Sequence, residues 1–576
     1  MIFDFEQADL IGTVRAVDTR KVLIMVGDEK DLRKARVGHF AALNLSGASD
    51  DWLIGIIERV IKSIGYEDET ENEQANDLSL MEEEPSKVIN TVLITLVGMV
   101  RWNVLDKNYQ FSRSIVQVPE ISAECYVLQY KQLENFMNLL VKESDKEHSL
   151  ELGKYSIDDT AVAYLDGNKL FQRHAALLGS TGSGKSFTVA SILERAAKLP
   201  TANIIVFDLH GEYKELSYAR HLRIPGPEEL GVARDDLLFL PYWLLNAEEM
   251  QAMFIDRSEF SAHNQVMVFQ DAVVEQKKAT LSELGKTDVL AAFTLDSPIP
   301  FSIDNVINTL SDLNEEMEQG ARGLKQGKFY GQFSRLLVRI KSKLSDKRYG
   351  FLFQAPNSEH QYESMARIAA KLMDYNLPKS QIKVVDFSEV PVDVLPVIVG
   401  LVARMIYQIQ FWTDHEKRRP LACICDEAHL YLPRKEGQNP VERRAIEAFE
   451  KIAKEGRKYG VALLIVSQRP SDVSPTILSQ CNNIIALRLA NADDQNTVKK
   501  LMPESMESLL DILPIMDIGE ALVVGDAVLL PSRIRVNRPS EEPLSATVNF
   551  WTEWQKKAKD PDFKNSVENM RRQGRK

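Results

Sequence analysis

One octapeptide constrains this chain more than any other feature: Gly179-Ser-Thr-Gly-Ser-Gly-Lys-Ser186. It matches G-x-x-x-x-G-K-[ST] in full, with buried-strand sequence at His174–Leu178 before it and helix-forming sequence at Phe187–Lys198 after it. Glycines let successive backbone N–H groups turn inward onto phosphate oxygens. The N-terminus of the following helix adds the positive end of its dipole. Such a loop belongs at the carboxyl end of a parallel strand, so it commits the surrounding chain to an α/β sheet. Read this way, Gly179, Ser180, Thr181, Gly182, Ser183, Gly184, Lys185, Ser186 and Phe187 hold the phosphates of ATP. Lys185 reaches the β- and γ-phosphates, and Ser186 ligates Mg²⁺.

Further acidic and polar residues fall where such a sheet ends its strands. Leu421-Ala-Cys-Ile-Cys-Asp-Glu427 is an apolar run closed by two carboxylates. Asp426 is suited to the Mg²⁺ shell, usually through water, and Glu427 to polarising the attacking water as a general base. The run Val461–Val466 delivers Ser467-Gln-Arg-Pro470. The Gln468 amide there can sense a γ-phosphate or orient the water; a turn or capping role is the alternative. Val206-Phe-Asp-Leu-His-Gly-Glu-Tyr213 is another strand end, with Asp208, His210 and Glu212 at the edge where ligands bind in these folds. For these three, a structural or coupling role ranks above a metal site.

A developing γ-phosphate charge also needs a cation. Arg173 and Arg457 are candidates for supply across a subunit interface, with Arg444 weaker; a plain surface arginine is the alternative at each.

The rhythm of the chain supports the sheet. From about residue 151 to 540, apolar strands alternate with helices, among them strands Asn203–Phe207, Ile382–Phe387 and Ile484–Leu489 and a hairpin over Glu520–Val536. A long helix is expected over Val392–Phe411 and another over Val441–Tyr459. Residues 245–350 break the rhythm and read as a helical insertion: Ala247–Phe254, Asn264–Gln276, Thr280–Leu284, Ile303–Gln319 and Phe333–Leu344. The last of these is basic (Arg335, Arg339, Lys341, Lys343, then Lys347 and Arg348), which fits DNA contact or a solvated helix face.

Residues 1–150 read differently. Short alternating runs at Ile11–Val17, Val22–Val26, His39–Leu45, Trp52–Val60 and Val88–Val100 predict a small β-barrel. An acidic stretch at Glu67–Ser86 reads as a solvated loop, with a binding role as the alternative. Residues 541–576 form a polar C-terminal extension with Phe550, Trp551 and Trp554 and a basic end at Arg571, Arg572, Arg575 and Lys576. Its aromatics could clamp a neighbouring subunit.

Composition bounds the setting. The 576 residues call for about two to four domains. The four cysteines, Cys125, Cys423, Cys425 and Cys481, are too scattered for a disulfide framework and fit a reducing compartment. Alternation sends Cys423 and Cys425 to one face of a strand, where buried thiols are the better reading than a metal site. No apolar run approaches the roughly 20 residues of a membrane span. The first residues are acidic and lack a basic leader, so no membrane association and a cytoplasmic location are expected. A net charge of −13 argues against a protein that coats DNA with its whole surface. It leaves room for a ring that is acidic outside and basic along a pore.

Together these motifs resemble HerA, the hexameric DNA-translocating ATPases of the HerA/FtsK group. The residues that carry the resemblance are Arg173-His174 through Ser186, then Asp208-Leu-His-Gly-Glu-Tyr213, Asp426-Glu-Ala-His-Leu430, Glu455-Gly-Arg-Lys458 and Ser467-Gln-Arg-Pro470, in the family's order. The likeness spans nearly the whole chain and is densest from about 151 to 536. It implies a RecA-like P-loop core with a helical bundle inserted, an N-terminal β-barrel and a bracing C-terminal arm. It implies a homohexameric ring with ATP sites between subunits and double-stranded DNA in the pore. Lys185 and Glu427 would carry binding and hydrolysis, Gln468 sensing, and Arg173 and Arg457 the trans-acting charge. Arg434-Lys435 is a candidate pore loop. Members of this family work with a nuclease: NurA in DNA-end resection, or a sirtuin-type or other effector in antiphage defence.

Three other readings remain in view. Asp426-Glu-Ala-His429 spells the box of superfamily 2 helicases, but that class needs two tandem motor domains and this chain offers one sheet. An assembly platform that licenses an effector by ATP turnover would use the barrel as its docking surface. A conjugation or secretion ATPase usually brings membrane helices.

Overall fold

The computed structural model describes residues 2–45, 51–65, 87–103, 105, 107–143, 149–156, 158–320, 323–434, 440–502, 504–544, 550–556 and 563–572. The acidic stretch Glu67–Ser86, Lys435, Arg575 and Lys576 lie outside the described residues. The chain forms two compact units: residues 1–170 with 483–537, and residues 171–482 with 538–576.

The first unit opens as a closed barrel. Its strands are β1 (Leu10–Asp18), β2 (Lys21–Val26), β3 (Phe40–Asn44), β4 (Trp52–Gly65), β5 (Lys87–Asn103), β6 (Asn108–Ser112) and β7 (Glu124–Val127). They order as β2-β1-β7-β3-β4-β5-β6. β2 also pairs with β5, from Lys21 opposite Thr95 to Val26 opposite Asn90, which closes six strands on themselves. Closure removes the exposed edges an open sheet would leave. Ile11, Val22, Ile24, Leu43, Leu53, Ile57, Val92 and Ile94 fill the interior. So small a barrel needs sharp bends, and register slips at Ile54/Gly55 and Ile57/Arg59 provide them. A Cβ at Gly55 would sit 2.3 Å from Ile94 Cγ2, so that bend admits no side chain. The alternating runs in the sequence correspond to β1–β5; β6, β7 and the helix Tyr130–Glu143 that follows were not anticipated. A hairpin of β8 (Ser149–Tyr155) and β9 (Asp158–Asp166) comes next.

The second unit is built on β10 (Ala175–Leu178), β11 (Ile204–Asp208), β12 (Arg220–Arg223), β15 (Ile382–Asp386), β16 (Leu421–Cys425) and β17 (Val461–Ser467). Their order is β12-β15-β11-β16-β17-β10, and each neighbouring pair is parallel. β10, β11, β16 and β17 are buried along their whole length. This explains their near-continuous apolar sequence: helices cover both faces of such a sheet. At the amino edge, Lys383 Nζ donates to Asn203 Oδ1 at 2.7 Å and to Ser380 O at 2.6 Å, tying the starts of β15 and β11.

Between β12 and β15 lies the helical insertion, with helices Ala247–Phe254, Ala262–Glu283, Ile303–Glu315 and Ser334–Ser345. The separate runs expected at Asn264–Gln276 and Thr280–Leu284 are one helix. The helix expected to Gln319 stops at Glu315, and a hairpin of β13 (Met317–Gly320) and β14 (Gly323–Gln326) follows. A bidentate pair anchors the insertion: Arg404 Nε and Nη2 donate to Glu249 Oε1 and Oε2 at 2.9 and 2.7 Å. Its basic last segment is divided in use. Arg339 is held by Glu259 at 2.6 Å and by the Phe254 carbonyl at 2.9 Å, whereas Arg335, Lys341 and Lys347 are exposed.

Helix Leu395–Trp412 is long and apolar enough to cross a membrane by length and composition. It is 67% buried in the protein and packs along helix Pro440–Glu455. After β17 the chain returns to the first unit. β18 (Asn483–Ala486), β19 (Glu520–Gly525) and β20 (Ser532–Val536) run antiparallel, and β20 pairs with β8, Ile534 opposite Tyr155. Residues 538–544 then belong to the second unit. Ser540 N donates to Glu194 at 2.8 Å and Leu544 N to the Glu212 carbonyl at 2.7 Å. Phe550, Trp551 and Trp554, on a short helix beyond, are exposed.

Candidate active site

Three adjacent parallel strands end side by side at the carboxyl edge of the second unit's sheet. β10 runs into the Gly179–Ser186 loop, β17 into Gln468 and β16 into Asp426-Glu427. β17 lies between the other two, with Leu178 opposite Ser467 and Cys425 opposite Ile465. Gly179 N donates to Ser467 O at 3.2 Å, carrying the pairing of β10 and β17 into the loop. The loop then wraps. Gly182 and Gly184 take φ of +72° and +106°, a region that favours glycine. Gly184 caps helix Lys185–Ala196. The first N–H groups of that helix have no partner within it and point where an anion would sit.

Lys185 leads this helix and is buried. Its Nζ donates to the Ser180 carbonyl at 3.2 Å, across the mouth of the loop. Burial pulls the ammonium below its ordinary range, while Glu427, Asp426 and Glu212 pull it back. The Thr181 hydroxyl donates to Gln468 Oε1 at 2.5 Å, so Gln468 reaches the loop itself. A γ-phosphate would compete for that contact.

Asp426 is almost fully enclosed. Burial first, then Glu427, Glu212 and Asp208, push its carboxyl up to about 8. Glu427 is raised by burial and lowered by Lys185 and His210. Its backbone is left-handed, φ +45° and ψ 42°, an unusual state for a side-chain-bearing residue. Asp208 has a different task. Its carboxylate accepts the N–H groups of His210, Glu212 and Tyr213 at 3.2, 3.1 and 3.0 Å, fixing the turn around Gly211. That turn brings Glu212 to the loop. Three acidic side chains, Glu427, Asp426 and Glu212, thus face one ammonium, an arrangement that fits a nucleotide-bound cation. Ser186, Asp426 and water would hold Mg²⁺, an ion that keeps most of its waters. Among the described residues no group of three or more His, Cys, Asp and Glu side chains could hold a metal by itself.

The arginine candidates lie elsewhere. Arg173 precedes β10 and Arg457 precedes β17, and both are exposed. They therefore sit at the amino edge of the sheet, a strand length from the loop end of their own chain: ~13 Å along four-residue β10 and ~23 Å along seven-residue β17. Arg444 lies on helix Pro440–Glu455, and Arg434 is exposed. His174, which the sequence marks only as a strand start, is a backbone clamp. Its Nδ1 accepts Leu463 N–H at 3.0 Å, and burial pushes it down to about 4, so it is neutral. Cys423 and Cys425 are free, buried thiols.

The raised Asp426 carboxyl makes a testable statement about the nucleotide-free protein. A carboxyl with a higher pKa when folded contributes stability below its unfolded pKa, and that contribution is lost as pH rises through about 8. Asp426→Asn removes the penalty. The variant is expected to be about 0.5–2 kcal/mol more stable than the parent at pH 8 without nucleotide. Thermal unfolding at pH 5 and pH 8 checks this: the gain must be larger at pH 8.

The model of the HerA helicase central domain matches residues 150–406, and that of the HerA-like C-terminal domain matches residues 397–532. A probable helicase of Methanocaldococcus jannaschii is 24% identical over 532 residues, 90% of each chain. The DNA double-strand break repair helicase HerA of Pyrococcus furiosus is 25% identical, covering 84% of this chain and 83% of its own. That of Sulfolobus acidocaldarius is 26% identical over 72% of this chain and 76% of its own. Among solved structures, VirB4 of Thermoanaerobacter pseudethanolicus matches with a TM-score of 0.45 and 18% identity, over 68% of this chain and 97% of that one. With a P-loop core, an inserted helical bundle, a closed N-terminal barrel and matches to both HerA models, this ATPase belongs to the HerA helicase family.

Proposed function

We propose that this chain is an ATP-driven translocase of double-stranded DNA that works as a homohexameric ring. The observation that carries the reading is the division of the site between two edges of the sheet. The groups for binding and hydrolysis converge at the carboxyl edge, while Arg173 and Arg457 are exposed at the amino edge. A second copy that brings Arg173 or Arg457 to the carboxyl edge would add a cation for the γ-phosphate.

In this reading the loop and Lys185 hold the β- and γ-phosphates. Ser186 and Asp426 hold Mg²⁺, which supplies Lewis-acid stabilisation of phosphate charge when bound. Glu427 takes the proton of the attacking water, and Gln468 reports the γ-phosphate to β17. The exposed Phe550, Trp551 and Trp554 brace a neighbouring subunit. The relatives named as double-strand break repair helicases support action on duplex DNA inside the cell. Their names favour a DNA-repair role; a NurA-like nuclease in end processing, or a sirtuin-type or other effector in antiphage defence, would use the same ring.

The platform reading has one observation of its own. Val116, Val118 and Ile121, on the segment between β6 and β7, are exposed apolar residues of the barrel region, suited to an effector. One experiment separates the two: ATPase rate with and without long linear duplex DNA, on protein whose mass is measured in the same buffer. A translocase is expected to be a hexamer stimulated at least tenfold, with the stimulation falling as salt rises. A hexamer indifferent to DNA favours the platform, and an active monomer overturns the ring.

A further inference from the structure

His429 takes no part in the roles given so far. It lies in the turn Ala428–Leu430, directly after Glu427. Its Nδ1 is 3.3 Å from Glu427 Oε2, with the two side chains only 10% and 13% exposed. The same nitrogen is 3.4 Å from Ser467 Oγ. Ser467 ends β17 and is followed by Gln468, whose amide oxygen holds the Thr181 hydroxyl. One ring therefore touches the ends of both β16 and β17.

The chemistry of these contacts selects an arrangement. Glu427 Oε2 is cut off from water, and a buried carboxylate oxygen needs a donor. Burial lowers the imidazole from its ordinary range and so favours the neutral ring, which carries one hydrogen. Nδ1 is hydrogen-bonded to Ser467 Oγ, while Oε2, 3.3 Å from the same nitrogen, has no hydrogen-bond partner; with its hydrogen on Nδ1 the ring needs only a small turn to give it to the carboxylate, the stronger acceptor. The Ser467 oxygen already accepts Arg469 N–H at 3.0 Å, which fixes the hydroxyl beside the ring. Glu427 is left-handed at the strand end, and Gln468 is its other side-chain hydrogen-bond neighbour there.

We propose that His429 is a positioning residue for hydrolysis: its Nδ1–H holds Oε2 of Glu427, leaving the other oxygen to take the proton of water. Ser467 seats the ring against the strand end that carries Gln468. A shift of Gln468 on meeting a γ-phosphate is thereby passed to the carboxylate that activates water. This rests on the assignment of Glu427 as general base.

The test is steady-state kinetics with Mg-ATP on His429→Ala, His429→Asn, His429→Gln, Ser467→Ala, the Ala/Ala double variant and Glu427→Gln. His429→Ala is expected to lower kcat about 10- to 100-fold with KM within about twofold. Asn presents its amide nitrogen near the Nδ1 position and restores most of the rate; Gln presents it near Nε2 and does not. The double variant is no slower than His429→Ala alone, because both act through one ring. His429→Ala with kcat within twofold of the parent overturns the inference. So does a loss that Asn and Gln share equally, the mark of a merely structural residue. If Glu427→Gln hydrolyses at the parental rate, the base assignment itself fails. If Glu427→Gln stalls while His429→Ala does not, the base stands and only the positioning role falls.

Discussion

Glu427→Gln is expected to bind ATP at least as well as the parent and to hydrolyse it about 10²–10⁴ times more slowly, the range a general base contributes. The substitution keeps size and shape and removes the charge and the proton-accepting oxygen. It also removes the second-largest influence on Asp426, whose carboxyl stands at about 8 because of burial and then Glu427. With that neighbour neutral, Asp426 ionises more readily and is better placed to accept the Mg²⁺ shell. Tighter binding and stalled turnover should therefore appear together. Phosphate release gives the rate, and a fluorescent ATP analogue gives the affinity. A variant that turns over within threefold of the parent would remove Glu427 from the mechanism.

Lys185→Ala attacks the opposite term. In the nucleotide-free protein Lys185 is the cation that faces Asp426, Glu427 and Glu212. Without it the phosphates face Asp426, Glu427 and Glu212 with no lysine charge to offset them. One charge pair at about 4 Å and an effective dielectric near 20 is worth roughly 4 kcal/mol, or about 10²–10³ in affinity after screening. The expected outcome is loss of ATP binding at micromolar nucleotide and no measurable turnover. Lys185→Arg would not rescue it, because a planar guanidinium does not fit the turn closed by Ser180 O at 3.2 Å. Binding of ATP by Lys185→Ala at the parental affinity would show that the loop is held for structure and not for phosphate.

The sequence was most legible where chemistry is local. The Gly179–Ser186 loop, Asp426-Glu427 and Gln468 each belong to one strand end, and contiguous residues announce them. What joins them is long-range. Nothing in the run Val461–Ser467 says that β17 lies between β10 and β16, yet that order lets Thr181 meet Gln468. Glu212 was marked only as a residue at the sheet edge; its approach to Lys185 depends on the turn that Asp208 caps. His429 was visible as a letter in Asp-Glu-Ala-His, and its contact with Ser467 was not. The hairpin β13–β14 was hidden by polar sequence, Met317-Glu-Gln-Gly and Gly323-Leu-Lys-Gln, which carries little strand periodicity. A division at residues 150 and 540 follows the chain in order, and no linear reading reveals that β20 pairs with β8.

That last pairing has a consequence for how the protein is made. The first unit is assembled from residues 1–170 and 483–537, with the body of the second unit encoded between them. A ribosome adding roughly 5–20 residues per second completes the parallel sheet while β20 is still untranslated. After β8 emerges, on the order of 20–80 s pass before Ile534 can meet Tyr155. Through that interval the nascent chain carries a strand whose hydrogen-bonding edge has no mate. β8 has the composition to endure it: Glu151 and Lys154 put opposite charges on a seven-residue strand, which discourages strangers from pairing there. A chain stalled before residue 532 would thus lack β20 and leave the β8 edge open, a feature that quality control can recognise.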